Sequence, residues 1–370
     1  ILSRFNIADF LQGGRKRNGK QFGKQLMLTF QLTVSIALIA VVMLIFKQLQ
    51  YVKHYDLGFN EEHLLRIELP WLSENQTALR NEFSDLPFVS GSALSNGYPG
   101  QINMSMGSGV EDDEFMVECI YVTENFLETM GVQLLDGRNF LSGDKGKACL
   151  MNEAAVKRYG WESIIGKKYN NGKEGGYDVV GVVNNFNVES LHSSLSPVAL
   201  IYESDREYNT LSLRLIPGNL GQQISELRKV WGSLLPDDPM EFSFYDDQFQ
   251  AMYQKEDKLA KSITFFSIIA IVLTCMGILG QIFLISLNRT KEIGVRKVNG
   301  ATVSEILVLL NKDFVIWVIV ALVIATPIAY YAMNKWLENF AYKTTLSWWI
   351  FALAGVLALG IALLTVSWQS

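Results

Sequence analysis

The residue types that most often do chemistry are sparse in this chain. It has three histidines, His54, His63 and His192, with no H-E-x-x-H and no Cys/His pairing at zinc-ligand spacing. The acidic run Glu111 to Glu114 lacks the alternating ligands and turn glycine of a calcium loop and reads as a solvated loop. Gly14-Arg15-Lys16-Arg17-Asn18-Gly19-Lys20 has the G-x-x-x-x-G-K skeleton of a phosphate loop. However, Gln21 stands where a magnesium-holding hydroxyl is needed, and no strand precedes the glycines. The stretch reads as a flexible basic linker, and no catalytic residue, metal site or bound cofactor is expected. What remains is "RTKEIGVRKVNGAT", 289–302, with two arginines, two lysines and a glutamate in fourteen residues. Charge at that density is suited to docking against another protein rather than to bond chemistry.

The elements that must hold this segment are apolar. Of 370 residues, 49% are hydrophobic, and they concentrate in four runs without a charged side chain: Leu26 to Phe46, Ser262 to Leu287, Phe314 to Met333 and Ser347 to Ser367. Each is long enough to cross ~30 Å of hydrocarbon as a helix. One arginine at a span centre costs roughly 2.5–3.5 kcal/mol, so four such runs predict four transmembrane helices. Arg4, Arg15, Lys16, Arg17, Lys20 and Lys24 precede the first run, and Arg289, Lys291, Arg296 and Lys297 follow the second. Lysine and arginine bias therefore predicts that both flanks are cytoplasmic, with both ends of the segment inside.

Lys47 to Lys261 then lies outside. It holds 19 basic and 32 acidic residues, a formal charge of −13, which excludes a basic nucleic-acid footprint. "FMVECIYV" (115–122), "YDVVGVV" (177–183) and "LSLRLIP" (211–217) read as strands. "SENQTALRNEF" (73–83), with a Ser73/Gln76 capping box, and "NLGQQISELRKVWGSLL" (219–235) read as helices. The expected fold class is an α-helical membrane protein with four transmembrane helices and a large α+β extracytoplasmic domain, of one or two lobes, inserted between spans 1 and 2. Cys119 and Cys149 belong to that domain, where a disulfide can persist, but two cysteines do not make a framework. Cys275 lies within a span as a small packing residue.

Within the charged segment, Glu292 and Arg296 are four apart in the favourable order, and Arg289 precedes Glu292 by one turn. Ile293 and Val298 are expected to leave a small apolar stripe. Asn299-Gly300 is a helix stop, and Thr302-Val303-Ser304-Glu305 reads as the capping box of the next helix. A short amphipathic helix clamped between two stops is predicted.

"RTKEIGVRKVNGAT" resembles the cytoplasmic signature of the FtsX-like, MacB-type ABC transporter permeases. "IYVTENFLETMGVQLLDGRNF" (120–140), "LMNEAAVKRYGWESIIGKKY" (150–169) and "YDVVGVVNNFNVESLHSSLSPVALIY" (177–202) are similar to blocks of that family's periplasmic core domain. "FSFYDDQFQAMYQKEDKLAKSITFFSIIAIVLTCMGILG" (242–280) is similar to the approach to its second span. "LSRFNIADFLQG" (2–13) resembles the linker between the halves of two-half permeases, so the chain is expected to be the second half of an eight-span permease. The implied division is a cytoplasmic basic linker (1–25), transmembrane helix 1 (26–46), a MacB-like extracytoplasmic core domain (47–261) and transmembrane helix 2 (262–287). A cytoplasmic coupling helix (288–302), transmembrane helix 3 (303–333), an external loop (334–346) and transmembrane helix 4 (347–367) follow.

The resemblance implies a non-catalytic subunit of the bacterial inner membrane, multi-pass, with its large domain in the periplasm. A separate cytoplasmic ABC ATPase dimer, carrying the ATP and Mg, would drive the periplasmic domain by mechanotransmission, for export or extraction of a peptide, drug or lipoprotein. An envelope sensor or a regulator of a cell-wall enzyme, using the same coupling, is the alternative. Further implied partners are a homologous permease half or second permease subunit, a periplasmic adaptor or cargo, and membrane lipid, with no nucleic acid. The ATPase-coupling residues are then Arg289, Lys291, Glu292, Gly294, Arg296 and Lys297. Helix packing is expected along two small-residue ridges, Ala321, Ala325 and Ala329 on the third span and Ala354, Ala358 and Ala362 on the fourth. Pro327 is expected to bend or loosen the third span.

Overall fold

The computed structural model describes residues 7–70, 76–102, 104–110, 113–170, 174–187, 192–203, 208–300 and 303–369, with side chains outside 7–22, 24, 110, 284–294, 296–297, 303–313 and 366–369. The chain begins with α1 (Ile7–Lys53), β1 (Leu64–Glu68), α2 (Gln76–Ser84), β2 (Val89–Ser95), β3 (Ser105–Val110), β4 (Asp113–Val122) and α3 (Phe126–Met130). It continues through β5 (Leu134–Gly137), β6 (Ala148–Asn152), α4 (Glu153–Arg158), β7 (Lys168–Tyr169), β8 (Tyr177–Val183), β9 (Val198–Tyr202) and β10 (Thr210–Leu215). Last come α5 (Leu220–Leu234), β11 (Phe242–Phe244), α6 (Tyr245–Met252), α7 (Gln254–Val298), α8 (Val303–Leu337) and α9 (Trp348–Gln369).

These elements form two compact units. The first comprises Ile1–Tyr51, Lys255–Asn339 and Lys343–Ser370; the second comprises Val52–Gln254 and Phe340–Tyr342. In the first unit, α1, α7, α8 and α9 each contain a stretch long and apolar enough to cross a membrane. On α1 the buried positions Leu28, Leu32, Ile36, Ala40 and Leu44 recur every fourth residue, the ridge that packs against neighbouring helices. Beyond that ridge the Lys47 ammonium donates to the Thr345 carbonyl (2.9 Å) and to Ser347 Oγ (3.0 Å), while Gln48 Oε1 accepts the Thr344 N–H (2.8 Å). Together these bonds fix the turn before α9.

In the second unit, 11 strands among the described residues form one mixed sheet, ordered β11-β1-β10-β2-β4-β9-β6-β8-β5, with β3 added to β4 and β7 to β8. Only β4/β9 and β6/β8 pair in parallel. The period of two puts alternate β4 residues on opposite faces: Cys119 and Tyr121 enter one core, Ile120 and Val122 the other. Helices cover both faces, Leu79, Phe83, Leu227 and Trp231 packing into the first core and Phe126, Met130 and Phe249 into the second. Strand β9, "VALIY", is buried at all five positions, which is why it is apolar without alternation. Asn152 caps α4 by accepting the Ala155 N–H (2.9 Å), and it also accepts from Val198 N and donates to the Ser196 carbonyl, both at 2.9 Å. One fully buried amide thereby ties β6, α4 and β9 together.

The strands read at 115–122, 177–183 and 211–217 and the helix at 219–235 are present as β4, β8, β10 and α5, the last capped by Asn219. Helix α2 begins at Gln76, and the Ser73 end of its expected capping box lies outside the described residues. One expectation needs correction. The stretch 7–25 is helical and continuous with the first span, so the G-x-x-x-x-G-K skeleton lies on a helix and not in a linker loop. Lysine, arginine and glutamine favour the helix and no proline interrupts it, although Gly13, Gly14, Gly19 and Gly23 each weaken it by about 1 kcal/mol. Of the acidic run, Asp113 and Glu114 begin β4, where Asp113 pairs with Val110 of β3 and meets Arg158 at 2.8 Å; residues 111 and 112 lie outside the described residues. Cys119 and Cys149 are buried thiols on β4 and β6, with β9 between them. Two strand spacings, ~9.5 Å, exceed the reach of a disulfide.

Candidate functional site

Helix α7 carries the charged segment, and its end has the expected stop. The Asn299 N–H still bonds the Val295 carbonyl (3.1 Å), and Gly300 then adopts φ +88°, the left-handed conformation that ends helices at little cost only in glycine. Three residues after Gly300, α8 has begun at Val303; Thr302, the other end of the proposed capping box, lies outside the described residues. The start of the segment differs from expectation. No break occurs near residue 288, because α7 is one helix of 45 residues from Gln254 to Val298. "FLISLNRTKEI" holds no proline and no glycine, so nothing interrupts the hydrogen-bond ladder between span and charged end.

Helical geometry sorts the candidate residues around α7 at roughly 100° per residue. Positions Arg289, Glu292 and Arg296 share one face. Lys291, Val295 and Val298 share a second, and Gly294 and Lys297 lie on a third. The anticipated Ile293/Val298 stripe does not form, since five residues place them roughly 140° apart. Val295 and Val298 share a face instead, and both are exposed, at 62% and 87%.

Above the charged end, α7 is tied to α1 and α9 by contacts the composition of the spans did not single out. Thr274 Oγ1 donates to the Ala270 carbonyl (2.8 Å) and accepts from Ser35 on α1 (2.9 Å). Gly277 lies so close to α1 that a Cβ there would come 2.5 Å from Gln31 Oε1. Thr365 Oγ1 on α9 donates to the Ile361 carbonyl (2.7 Å) and lies 3.5 Å from the Cys275 sulfur, whose S–H is the hydrogen left to donate between them. In-span hydroxyls are the signal that would have found this seam: they must bond something in hydrocarbon, either their own helix or a neighbour.

All six alanines of the two ridges are buried: Ala321, Ala325 and Ala329 on α8, and Ala354, Ala358 and Ala362 on α9. Ala358 and Ala362 line a narrow crevice with Leu32 and Ser35 of α1 and Ile271 and Ile278 of α7. Gly355 sits against α8, where a Cβ would meet Leu322 Cδ2 at 2.7 Å. Pro327 lies inside α8, which continues on both sides of it. Among the described residues no three His, Cys, Asp or Glu side chains gather as a metal site.

Four apolar helices with an α/β domain inserted between the first and the second define an integral membrane protein. Residues 264–370, which span most of α7 with its charged end and all of α8 and α9, match the family described as FtsX-like permease C-terminal. Comparison with curated proteins returns no match. Among solved structures, the chain is similar to the periplasmic region of MacB from Actinobacillus actinomycetemcomitans, at 14% identity over 53% of this chain and 94% of that one, TM-score 0.39. It is also similar to the extracellular domain of the noncanonic ABC-type transporter YknZ from Gram-positive bacteria, at 13% identity over 49% of this chain and 97% of that one, TM-score 0.34.

Proposed function

We propose that this chain is the permease subunit of an ABC transporter, in which a separate cytoplasmic ATPase drives a change in the inserted domain through α7. The observation that supports it most is continuity. The permease-family match includes the charged end, and α7 runs without a break from that end to Gln254, the last residue of the second unit's main segment. At ~1.5 Å per residue such a helix is a rod of roughly 67 Å, so a push at one end arrives at the other. In this reading the residues before the first span and after the fourth are cytoplasmic, and the inserted domain is extracytoplasmic. ATP and Mg are bound by the partner. Glu292 pairs with a basic residue in the ATPase groove, Gly294 permits close backbone approach, and Arg289, Lys291, Arg296 and Lys297 supply the remaining charge. A second permease half covers the exposed faces of the spans. Cargo belongs to the class moved by mechanotransmission, a peptide, drug or lipoprotein.

The test is purification of the full chain from native membranes in mild detergent with mass spectrometry of bound proteins, followed by ATPase assay of the complex. A cytoplasmic ATP-binding subunit should be recovered. Glu292→Lys with Gly294→Leu should lose it, and lose stimulated ATPase activity at least tenfold, while inserting in the membrane at the parent level. Full stimulation in that double variant would sink the coupling role of this helix end.

A further inference from the structure

The second unit contains a cavity of about 130 Å³ that the permease reading does not use. Its floor is apolar and aromatic, with Val52, Leu57, Phe249 and Tyr253 all buried. Tyr55 and Glu61 are half-buried in its wall, and Lys53 and Asp246 are exposed at its edge. Asp246 and Phe249 lie three apart on α6 and Tyr253 is its C-cap, so one short helix and its end supply a carboxylate and two rings.

Glu61 is presented from fixed backbone. The Arg214 guanidinium donates to the carbonyls on either side of it, Asn60 (2.7 Å) and Glu62 (2.9 Å), and to Thr129 of α3 (2.8 Å). Asn60 N–H is bonded in turn to the Met130 carbonyl (2.9 Å). The Glu61 carboxylate itself has no ion pair or hydrogen bond among the described residues. Burial and then the negative charges of Asp246, Glu62 and Asp56 hold its pKa above the usual carboxylate value. A carboxylate in this position gains from any cation that reaches it. A bare divalent ion is a poor fit, since calcium takes about six to eight oxygens and this wall offers two carboxylates. An ammonium group on an apolar stem suits every surface present: its N–H groups meet the carboxylates, and its charge and stem meet aromatic faces. At about 130 Å³ the cavity is slightly smaller than the ~150 Å³ that takes benzene, so it has room for the apolar stem with the charged head at its open edge beside Asp246.

We propose that this cavity binds a small organic ammonium ion, with its head on Glu61 and Asp246 and its stem over Phe249, Tyr253 and Tyr55. The inference is independent of the ATPase reading and stands or falls apart from it. The probe is benzylammonium, titrated at pH 7 by saturation-transfer NMR against the full chain in nanodiscs of zwitterionic lipid. Benzyl alcohol serves as the neutral isostere, and N-acetyl-lysine methylamide represents a peptide side chain. Saturable binding of benzylammonium is expected, about tenfold or more tighter than benzyl alcohol, the worth of one charge-assisted hydrogen bond. Glu61→Gln should weaken it by a similar factor without lowering Tm, and Asp246→Asn by less. Acidification should release the amine as Glu61 takes up its proton, with Lys53, Asp56, Glu62 and Asp246 the other charged groups facing the site. Tighter binding of the lysine amide than of benzylammonium would support the same ammonium site and assign its ligand to a peptide. Equal binding of benzyl alcohol, unchanged affinity in Glu61→Gln, or no saturable signal from either amine would overturn the proposal.

Discussion

Glu61 and Gly58 show how single residues in the connection from α1 to β1 depend on distant parts of the chain. Because the folded pKa of Glu61 is raised, there is a pH interval above its unfolded value of about 4.3 in which the unfolded chain has lost this proton and the native state has kept it. Stability therefore falls as pH rises through that interval and stays lower above it. Glu61→Gln is expected to raise the Tm of the second unit at pH 7 and to leave it unchanged at pH 3, measured by calorimetry. Gly58 has φ +79°, and a Cβ there would overlap the Asn185 carbonyl oxygen and come 2.8 Å from Phe186 Cα. Gly58→Ala should cost about 2 kcal/mol or more, combining the left-handed penalty with displacement of packed backbone. The glycine is visible in the sequence, but the neighbour that makes it necessary is not, because residues 185 and 186 reach it only through the sheet.

At the scale of elements, the sheet has one thin joint. Strands β2 and β4 share a single registered pair, Ser95 with Val122, and side chains complete the ladder on either side of it. Thr123 Oγ1 accepts the Leu94 N–H (3.0 Å), and Asn96 Oδ1 accepts the Tyr121 N–H (2.8 Å). Thr123→Val keeps the shape of the side chain and removes that acceptor, so it should cost about 1–3 kcal/mol and speed exchange of the Leu94 amide, whereas Thr123→Ser should behave as the parent. Individual strands and α5 were legible because a period of two, or of 3.6, repeats several times within each. The continuity of α7 through residue 288 was not. There, charge was taken as a sign of separation, yet charged residues sit well on an exposed helix face and break nothing.

For the whole molecule, the span unit depends on small residues meeting at close range. Ala358 borders a crevice shared with α1 and α7, with no room for three further carbons. Ala358→Leu should lower the detergent-solubilised Tm by the equivalent of about 1–3 kcal/mol, and Ala358→Gly should be tolerated far better. The alanine ridge can be read from four-residue spacing, but which helix receives it cannot, since every span offers a comparable apolar surface.

Hydrophobic run length and charge placement are properties of local sequence, so four spans, an inserted α/β domain and a charged end to the second span followed from the residues alone. The separation of Cys119 from Cys149 by β9, the seam from Ser35 to Thr274 and the meeting of Glu61 with Asp246 were decided only by tertiary structure. Each joins residues far apart in the chain, and strand order and helix neighbours are chosen by the packing of all elements together rather than by any one of them.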